Sequence, residues 1–213
     1  MNAALMMERI YDTLKQQIMQ GDLPPGIRLD PSRLASKLHA SVTPIRDALH
    51  RLTGERIVQA WPQEGFHAPL LSEPALRDLY AWHGEILAKI LRTSISHQLI
   101  DTVGMDAAAI AMERRSGLET SRALFRDIAS RSHNLEHRHV LQNTAERLAC
   151  ARLKEEPLIE DAAEEAQLLI RSWREGDIRR LRRLIEVYHR RRIRLVPAIA
   201  AALRRDAADL RSA

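Results

Sequence analysis

The segment that decides the fold runs from residue 30 to residue 53 and reads DPSRLASKLHASVTPIRDALHRLT. It holds two short helical patterns separated by a brief polar break. The first opens with Pro31 behind a polar cap, and proline suits the first position of a helix. The second opens at Thr43-Pro44 and repeats apolar residues at intervals of three and four. Two helices joined by so short a turn predict a helix-turn-helix.

The second helix of this pair, which extends to about Thr53, has one apolar and one polar face. Helical spacing places four apolar side chains inward: Ile45, Ala48, Leu49 and Leu52. The outward side chains are Thr43, Arg46, Asp47 and His50. A helix that is slim and polar outside can enter the DNA major groove, which is about 12 Å wide. Arg46 can donate two hydrogen bonds to a guanine edge, and Thr43 can cap the helix or contact a phosphate.

The residues around this pair complete a small domain. A helical pattern over about residues 8–20 precedes it and ends at the turn GDLPPG, since no helix interior accepts two prolines. Strand candidates at residues 57–60 and 65–68 follow it, and Trp61-Pro62-Gln63-Glu64 joins them into a hairpin. Three helices and a hairpin predict a winged helix-turn-helix DNA-binding domain over residues 1–70.

The predicted DNA-contacting residues lie on the recognition helix, on its flanks and on the hairpin. They are Arg28, Arg33, Thr43, Pro44, Arg46, His50, Gly65 and His67. We expect Arg28 and Arg33 to bind phosphates, and the wing tip near Gly65 to lie along the backbone or the minor groove. One short recognition helix offers few base contacts, so we expect a homodimer that binds an imperfect palindrome in double-stranded DNA.

The rest of the chain, residues 74–213, is expected to form a second, all-helical domain. Helical patterns run near residues 74–96, 102–115, 118–131, 134–154, 157–175 and 177–206. Aromatic residues make up only 4% of the chain, and the abundant Ala, Leu and Arg lose little on entering a helix. The predicted fold is mostly α: a winged helix-turn-helix of three helices and a β-hairpin, followed by an all-α six- or seven-helix bundle.

Composition excludes several classes of protein. The one cysteine, Cys150, allows neither an intramolecular disulfide nor a zinc ribbon. No apolar run approaches the 18 or so residues of a membrane span. The N-terminus lacks the pattern of a signal peptide, so we expect a cytoplasmic protein without membrane contact. Convergent carboxylates, a metal-binding histidine set and an activated nucleophile are missing at workable spacing, which argues against an enzyme.

Net charge leaves one alternative open. The chain carries +5, and residues 171–213 hold 13 Lys or Arg against 5 Asp or Glu. We interpret this basic segment mostly as a solvated helix face. A non-specific architectural DNA-binding protein without an effector would also account for the charge. Such a protein would not need the mildly acidic helices of residues 71–170.

Residues 8–29 and 34–52, followed by Gly65-Phe66, resemble the opening, the helix-turn-helix signature and the wing of the GntR family of bacterial regulators. The resemblance implies a sequence-specific transcription regulator, usually a repressor, whose operator binding responds to a small-molecule effector. The family usually has an arginine just before the Thr-Pro pair, and this sequence has Val42. A contact common in the family is therefore missing, although Val42 can touch a thymine methyl.

Several short motifs of the helical remainder follow a known order along the chain. They are Asp78-Leu79-Tyr80, Leu124-Phe125, Asn134, Gly176-Asp177 and His189. In this order the segment resembles the FCD-type effector domain, found in the fatty-acid-regulator branch of the same family. Many such domains hold a divalent metal with an Asp and three His.

The positions that the resemblance assigns to the metal ligands are mostly changed in this chain. Arg122 and Arg126 take two of them, and Ala166 takes a third. His189 lies one residue away from the fourth, where Tyr188 stands. Guanidinium groups cannot ligate a cation and repel one, so we expect no metal and no other cofactor.

The effector is therefore expected to be an anion. Arg122 and Arg126, one helical turn apart, can clamp a carboxylate or a phosphate directly. The other residues expected in the effector site are His83, Tyr188 and His189. The alternative is that both arginines are surface residues beside the apolar stripe of their helix. His133 and His137 also have metal-ligand spacing, but a helix break at Asn134 would spoil that geometry.

Overall fold

The computed structural model describes residues 3–95 and 116–209, and helices dominate both ranges. The helices are α1 (Ala3–Gln20), α2 (Pro31–Lys37), α3 (Val42–Gly54), α4 (Glu73–Ile95), α5 (Gly117–Ser130), α6 (Leu135–Arg147), α7 (Ala149–Leu153), α8 (Ala162–Arg174) and α9 (Ile178–Asp209). The strands are β1 (Arg28–Leu29), β2 (Gln59–Trp61) and β3 (Gly65–His67). The mostly α fold with an N-terminal winged helix-turn-helix is confirmed. The helix predicted near residues 102–115 lies outside the described residues.

The chain divides into two compact units. In the described part of the chain, one comprises residues 3–72 and 200–209, and the other lies within Glu73–Ile199. The sequence predicted one domain from residue 74 to the end of the chain. The division differs because it assigns the last part of α9 to the first unit, and the continuous helical pattern of α9 gives no sign of that boundary.

Local chemistry fixes the helix-turn-helix. Asp30 caps α2 through a side-chain oxygen that accepts from the backbone N–H groups of Ser32 and Arg33, both at 2.9 Å. The bond from Arg33 is the main reason why the pKa of the Asp30 carboxyl is lowered from its usual value. The turn to α3 passes through His39 at φ 50°, in the left-handed region.

An apolar core fills the first unit and holds α3 in place. Its most deeply buried side chains are Leu14, Leu29, Ile45, Ala48, Leu49 and Leu52. Tyr11 of α1 donates to Glu55 at 2.7 Å, and the guanidinium of Arg51 lies over its ring at 3.7 Å. Burying one large aliphatic side chain stabilises a fold by roughly 1.5–3 kcal/mol, so burial of its apolar face holds α3 firmly in the first unit.

The wing is a three-stranded antiparallel sheet in the order β1-β3-β2. The sequence predicted the hairpin of β2 and β3 but not β1, which has only two residues and no periodicity to detect. β2 also begins two residues later than predicted. The cause is that the backbone N–H groups of Ile57 and Val58 donate to the carbonyl of Leu52 and end α3, instead of pairing in the sheet.

The second unit is built around one apolar cluster to which α4, α5, α6, α8 and α9 contribute. Its most deeply buried members are Leu87, Ile90, Leu91, Leu124, Leu169 and Leu181. Gly117 lets α5 come close to the start of α8, since a Cβ there would lie 2.6 Å from the backbone of Ala162. This close approach fixes the start of α5 against α8.

Two of the helices predicted for this unit have different bounds. The helix predicted over residues 134–154 is broken at Leu148 into α6 and α7. The helix predicted from residue 157 begins at Ala162, after a 3-10 turn at Glu156–Leu158. Pro157 lies in that turn and lacks the N–H that a continuous helix would need. Within residues 3–95 and 116–209, no helix has the length and the apolar character needed to cross a membrane.

Candidate DNA-binding surface and buried arginine cluster

The predicted recognition helix is α3, and its two faces differ sharply in burial. The inward side chains, all at 0% exposure, are Ile45, Ala48, Leu49 and Leu52. The outward side chains, all exposed, are Thr43, Arg46, Asp47 and His50. The apolar face anchors the helix and leaves the polar face available to a DNA groove, as base readout requires.

The start of α3 corrects one expectation about Thr43. The helix begins at Val42, and Ser41 rather than Thr43 occupies the N-cap position. A phosphate contact therefore remains as the predicted role of Thr43, and the positive end of the helix dipole favours a phosphate here. Pro44 is half-buried in the same turn. Val42, where the family usually has an arginine, is 36% exposed.

Arg28 and Arg33 lie on either side of the start of α2, and both are exposed. Arg28 belongs to β1, opposite His67 of β3, and Arg33 lies in the first turn of α2. Neither forms an ion pair with a carboxylate of the residues that the structure describes. Their charges are therefore available to DNA phosphates.

The wing carries an aromatic feature that the sequence analysis did not include among the site residues. Gln63 and Gly65 form the tight turn with φ angles of 68° and 82°, and Gly65 is exposed at its tip. The half-buried His67 stacks on Trp61 with ring centroids 4.9 Å apart, and Trp61 is 48% exposed. Because Trp61 had been assigned to the loop of the hairpin, its place on the strand beside His67 was missed.

The recognition helix and the wing are also in direct contact. Phe66 of β3 meets the His50 ring edge-on, with ring centroids 4.9 Å apart. His50 is thus placed by the wing as well as by its own helix. Of the eight predicted DNA-contacting residues, His50 and His67 are the two whose rings pack against the aromatic side chains of this hairpin.

In the second unit, α4 and α9 bring two buried histidines together. His83 Nδ1 and His189 Nε2 are 2.8 Å apart, and His189 Nδ1 is 2.7 Å from the carbonyl oxygen of Ile185. A carbonyl only accepts, so His189 donates from Nδ1 and accepts at Nε2 from His83. Burial lowers the pKa of both imidazoles, that of His189 to about 3, and both are therefore neutral at pH 7.

Arg152 of α7 continues this chain of hydrogen bonds. Its Nη2 lies 3.2 Å from His83 Nε2, which carries no proton in this tautomer and accepts. The side chain is 1% exposed, and within the described part of the chain Nε and Nη1 have no hydrogen-bond partner. Arg152 is not among the site residues predicted from the sequence. The one available signal was its position in the apolar run LACARL of residues 148–153.

A second buried arginine, Arg192 of α9, has carboxylate partners. Its Nε lies 3.0 Å from Glu155 Oε2, and its Nη1 lies 2.5 Å from Glu165 Oε2. Tyr80 donates to the other oxygen of Glu155 at 2.6 Å. The guanidinium also lies over the ring of Tyr188, 3.3 Å from its centroid. The positive charge of Arg192 is therefore balanced by two carboxylates.

Three of the five predicted effector residues lie close together. The rings of His83, Tyr188 and His189 surround Phe125 with centroid distances of 5.4, 5.2 and 5.9 Å. Tyr188 Oη lies 3.3 Å from Ser121 Oγ. All three predicted residues are buried, at 4% exposure or less.

The two predicted clamp arginines differ in their surroundings. Arg122 is half-buried; burial lowers its pKa, and the positive charges of Arg152 and Arg126 lower it further. Arg126 is exposed. Four residues advance a helix by about 40° more than a full turn, which is enough to carry Arg126 away from the buried face of α5. An inward clamp made of both arginines therefore loses its second member.

The ligand sets considered for a metal are not assembled in the part of the chain that the structure describes. In residues 3–95 and 116–209 no group of three or more His, Cys, Asp or Glu side chains could hold a metal ion. Asn134 caps α6 by accepting from the backbone N–H of Glu136 at 2.9 Å, so the predicted helix break is confirmed. His133 precedes the helix and His137 lies within it.

The N-terminal segment of the chain is similar in sequence to known bacterial regulators. Residues 6–67 match the bacterial regulatory proteins of the gntR family. The HTH-type transcriptional repressor GlaR of Escherichia coli K12 is 31% identical over 86 residues, which are 40% of this chain and 39% of GlaR. The HTH-type transcriptional regulator McbR of the same organism is 34% identical over 71 residues, 33% of this chain and 32% of McbR. The matched segments thus span about two fifths or less of these relatives.

Solved structures extend the likeness to the fold of the helical remainder. E. coli McbR/YncC matches 93% of this chain and 99% of its own with a TM-score of 0.70 at 20% identity. A GntR protein from Rhodococcus sp. RHA1 matches 90% of this chain and 97% of its own with a TM-score of 0.71 at 14% identity. At such identities the likeness concerns the fold alone.

Proposed function

We propose that the chain is a member of the gntR family of bacterial regulatory proteins and, on that premise, a sequence-specific DNA-binding transcription regulator. The observation that carries the proposal is α3, whose apolar face is fully buried while Thr43, Arg46 and His50 are exposed. In this proposal α3 enters the major groove, and Arg46 reads a guanine with two hydrogen bonds. Arg28 and Arg33 bind phosphates and set the register.

The wing and a second copy of the chain complete the proposed complex. Gly65 at the tip of the hairpin, together with Trp61 and His67, follows the DNA backbone beside the recognition helix. One copy of α3 offers three exposed polar side chains suited to base or phosphate contacts, which is too few for useful specificity. A homodimer on an imperfect palindrome doubles them, with half-sites about one helical turn or a multiple of it apart.

Selection of binding sites from a random duplex library, followed by fluorescence anisotropy, tests this part of the proposal. We expect the selected sequence to be an imperfect palindrome that binds two chains. Its affinity should exceed that of a shuffled duplex of equal length by at least about 10³-fold at the same salt concentration. Equal affinity for selected and shuffled duplexes would contradict sequence-specific binding.

That contrary result is what a non-specific architectural protein, the alternative suggested by the basic segment 171–213, would give. Ion pairs in α9 argue for the regulator instead. Arg180, Arg190 and Arg191 lie beside the carboxylates of Glu175, Glu186 and Asp161. Charges that are already paired on the protein surface add less to phosphate binding.

The second unit supports the other half of the proposal, control of operator binding by a small anionic effector. Its candidate residues are Arg122 with His83, Tyr188 and His189, around the ring of Phe125. We propose that the regulator is a repressor, and that the effector releases the operator by binding the DNA-free form more tightly. In vitro transcription from a promoter that overlaps the selected operator tests the direction: the protein should lower transcript yield, and an increase would identify an activator.

A further inference from the structure

The second unit contains two buried arginines with opposite surroundings. Arg192, 3% exposed, has the carboxylates of Glu155 and Glu165 at 3.0 Å and 2.5 Å. Arg152, 1% exposed, has only an uncharged ring nitrogen of His83 at 3.2 Å. No carboxylate of the described residues forms an ion pair with Arg152.

This arrangement leaves Arg152 short of partners. A guanidinium stays protonated in proteins and carries five N–H donors in a planar fork. His83 accepts from one nitrogen, whereas Nε and Nη1 are buried and unpartnered within the described residues. Burial of a charge without a counterion or full hydrogen bonding is strongly unfavourable. An oxyanion from outside the chain would supply both the charge and the acceptors.

The neighbouring side chains indicate what kind of anion fits. Arg122 lies on the same helix as Phe125, three residues before it, and is a second, half-buried cation. The charges of Arg122 and Arg152 repel each other, so an anion close to both relieves the repulsion. The ring of Phe125 lies 5.9 Å from the Arg152 guanidinium and offers an apolar wall. Burial keeps His83 and His189 neutral, so the two rings add no charge of their own.

We propose that Arg152 anchors a binding site for a small oxyanion, a carboxylate or a phosphate, with Arg122 as the second cationic contact. Nε and Nη1 of Arg152 donate to the ligand, while Nη2 stays on His83. The inference rests on the effector-controlled regulator proposed above and names the residue that binds the charge of the effector. It also replaces Arg126, which is exposed, by a residue from a different helix.

Thermal unfolding of the full chain gives the first test. Acetate, benzoate and inorganic phosphate are each compared with chloride at the same ionic strength and pH. The melting temperature should rise by roughly 5–10 °C when the bound anion is present at about one hundred times its Kd. A larger rise with acetate or benzoate identifies a carboxylate ligand, and a larger rise with phosphate identifies a phosphate ligand. No rise with any of the three overturns the site.

Arg152→Met and Arg192→Met form a matched pair of variants, because both remove a buried guanidinium from the same unit. Arg152→Met should keep or raise the melting temperature in chloride, since it removes a charge without a counterion, and it should abolish the rise caused by the oxyanion. Arg192→Met should lower the melting temperature in every buffer, since it leaves the buried carboxylate of Glu155 without a cation and removes one of the two ion pairs of Glu165. If Arg152→Met lowers the melting temperature in chloride as Arg192→Met does, or fails to fold, Arg152 has a structural partner and the site is refuted.

Two milder variants separate the predicted contacts of α5. Arg122→Gln should weaken binding of the best anion by about tenfold or more in an isothermal titration, because it removes the second charged contact. Arg126→Gln, one turn further on the exposed side, should bind the anion as the unmodified chain does. Equal losses from both variants would mean that general surface charge attracts the anion, and would overturn the assigned contacts.

Operator affinity measured on the same samples distinguishes this inference from the proposed function. An anion-dependent rise in a chain that binds no specific duplex refutes the regulator and keeps the site. Specific DNA binding by a chain without any anion response keeps the regulator and refutes the site. On the selected operator, Arg152→Met should no longer respond to the anion, whereas Arg126→Gln should bind the operator and respond to the anion as the unmodified chain does.

Discussion

The polar side chains of the DNA-binding surface are exposed, whereas those of the arginine cluster in the second unit are buried. This difference determines which substitutions each site can tolerate. Arg46 is exposed on α3, outside a core that is complete without it, and its guanidinium stays hydrated until DNA replaces the water. Arg152 and Arg192 are inside the second unit and have lost nearly all contact with solvent. An exposed site of this kind can change without harming the fold. A buried site ties ligand binding, protonation and stability together.

The sharpest test of that contrast is Arg192→Met, measured by chemical denaturation. The substitution leaves the carboxylate of Glu155 buried without a cation and removes the shorter of the two ion pairs of Glu165, so we expect a loss of about 3–5 kcal/mol in the free energy of unfolding. Arg190→Met is the matched control, since Arg190 pairs with Glu186 at the exposed surface of the same helix. The control should change stability by less than about 1 kcal/mol. Similar losses from both variants would contradict the contrast between buried and exposed pairs.

Acid sensitivity is the next effect in size. Burial lowers the pKa of His83 and His189 in the folded chain, that of His189 to about 3. In the unfolded chain both imidazoles bind protons once the pH falls below about 6.5. Stability from these groups is complete above about pH 6.5 and is lost as the pH falls. The two histidines together should lower the free energy of unfolding by about 2–3 kcal/mol at pH 5.5 relative to pH 7.5.

Denaturation curves at the two pH values measure this loss. His139→Asn is a suitable control, because His139 is exposed on α6, and that variant should keep the pH dependence of the unmodified chain. The positive charges of Arg152 and Arg192 near the two rings act in the same direction as burial. A stability that stays constant between pH 7.5 and pH 5.5 would show that the rings are not held neutral in the folded state.

The first unit could be predicted closely because its signals are local. The cap at Asp30, the proline at Pro31 and the helical spacing of Ile45, Ala48 and Leu49 all lie within 20 residues of one another. Such patterns give both the helix and the face that it exposes. Strand β1 was not predicted because it depends on a distant contact. Arg28–Leu29 is a strand only because β3, almost 40 residues later, pairs with it.

The buried cluster of the second unit could be predicted only in part, because it depends on contacts between distant helices. Tyr188 and His189 were found through a family resemblance, and nothing local in the sequence indicates that His83 meets His189 106 residues later. Arg152 contacts His83 across 69 residues, and an arginine in a helix is usually exposed. Arg126 was predicted because it stands at a position that the resemblance assigns to a metal ligand, one helical turn from Arg122, and nothing in that resemblance points to Arg152.

At the exposed DNA-binding surface, substitutions of Arg46 and Arg33 should have effects of different kinds. Arg46→Ala should weaken binding to the selected operator by about 1–3 kcal/mol and relax the base preference at one position of each half-site. Arg33→Ala should weaken selected and shuffled duplexes alike and reduce the salt slope by about one. Anisotropy titrations at several salt concentrations separate the two effects. Losses of the same size on both duplexes from Arg46→Ala would rule out its assignment to base readout.

The smallest predicted effect is a gain at Val42, where the family usually has an arginine. Val42 is in the first turn of α3 and 36% exposed, so a longer side chain needs no space in the core, and stability should change by less than about 0.5 kcal/mol. Val42→Arg adds a cation at the end of the helix that faces DNA phosphates in the proposed complex. It should tighten binding to all duplexes by up to about 1 kcal/mol and make the salt slope steeper by about one. Val42→Gln has a similar reach without charge and should leave the salt slope unchanged. If Val42→Arg tightens neither duplex while the protein stays folded, the start of α3 does not approach the DNA backbone, and the docking of the recognition helix proposed above is wrong.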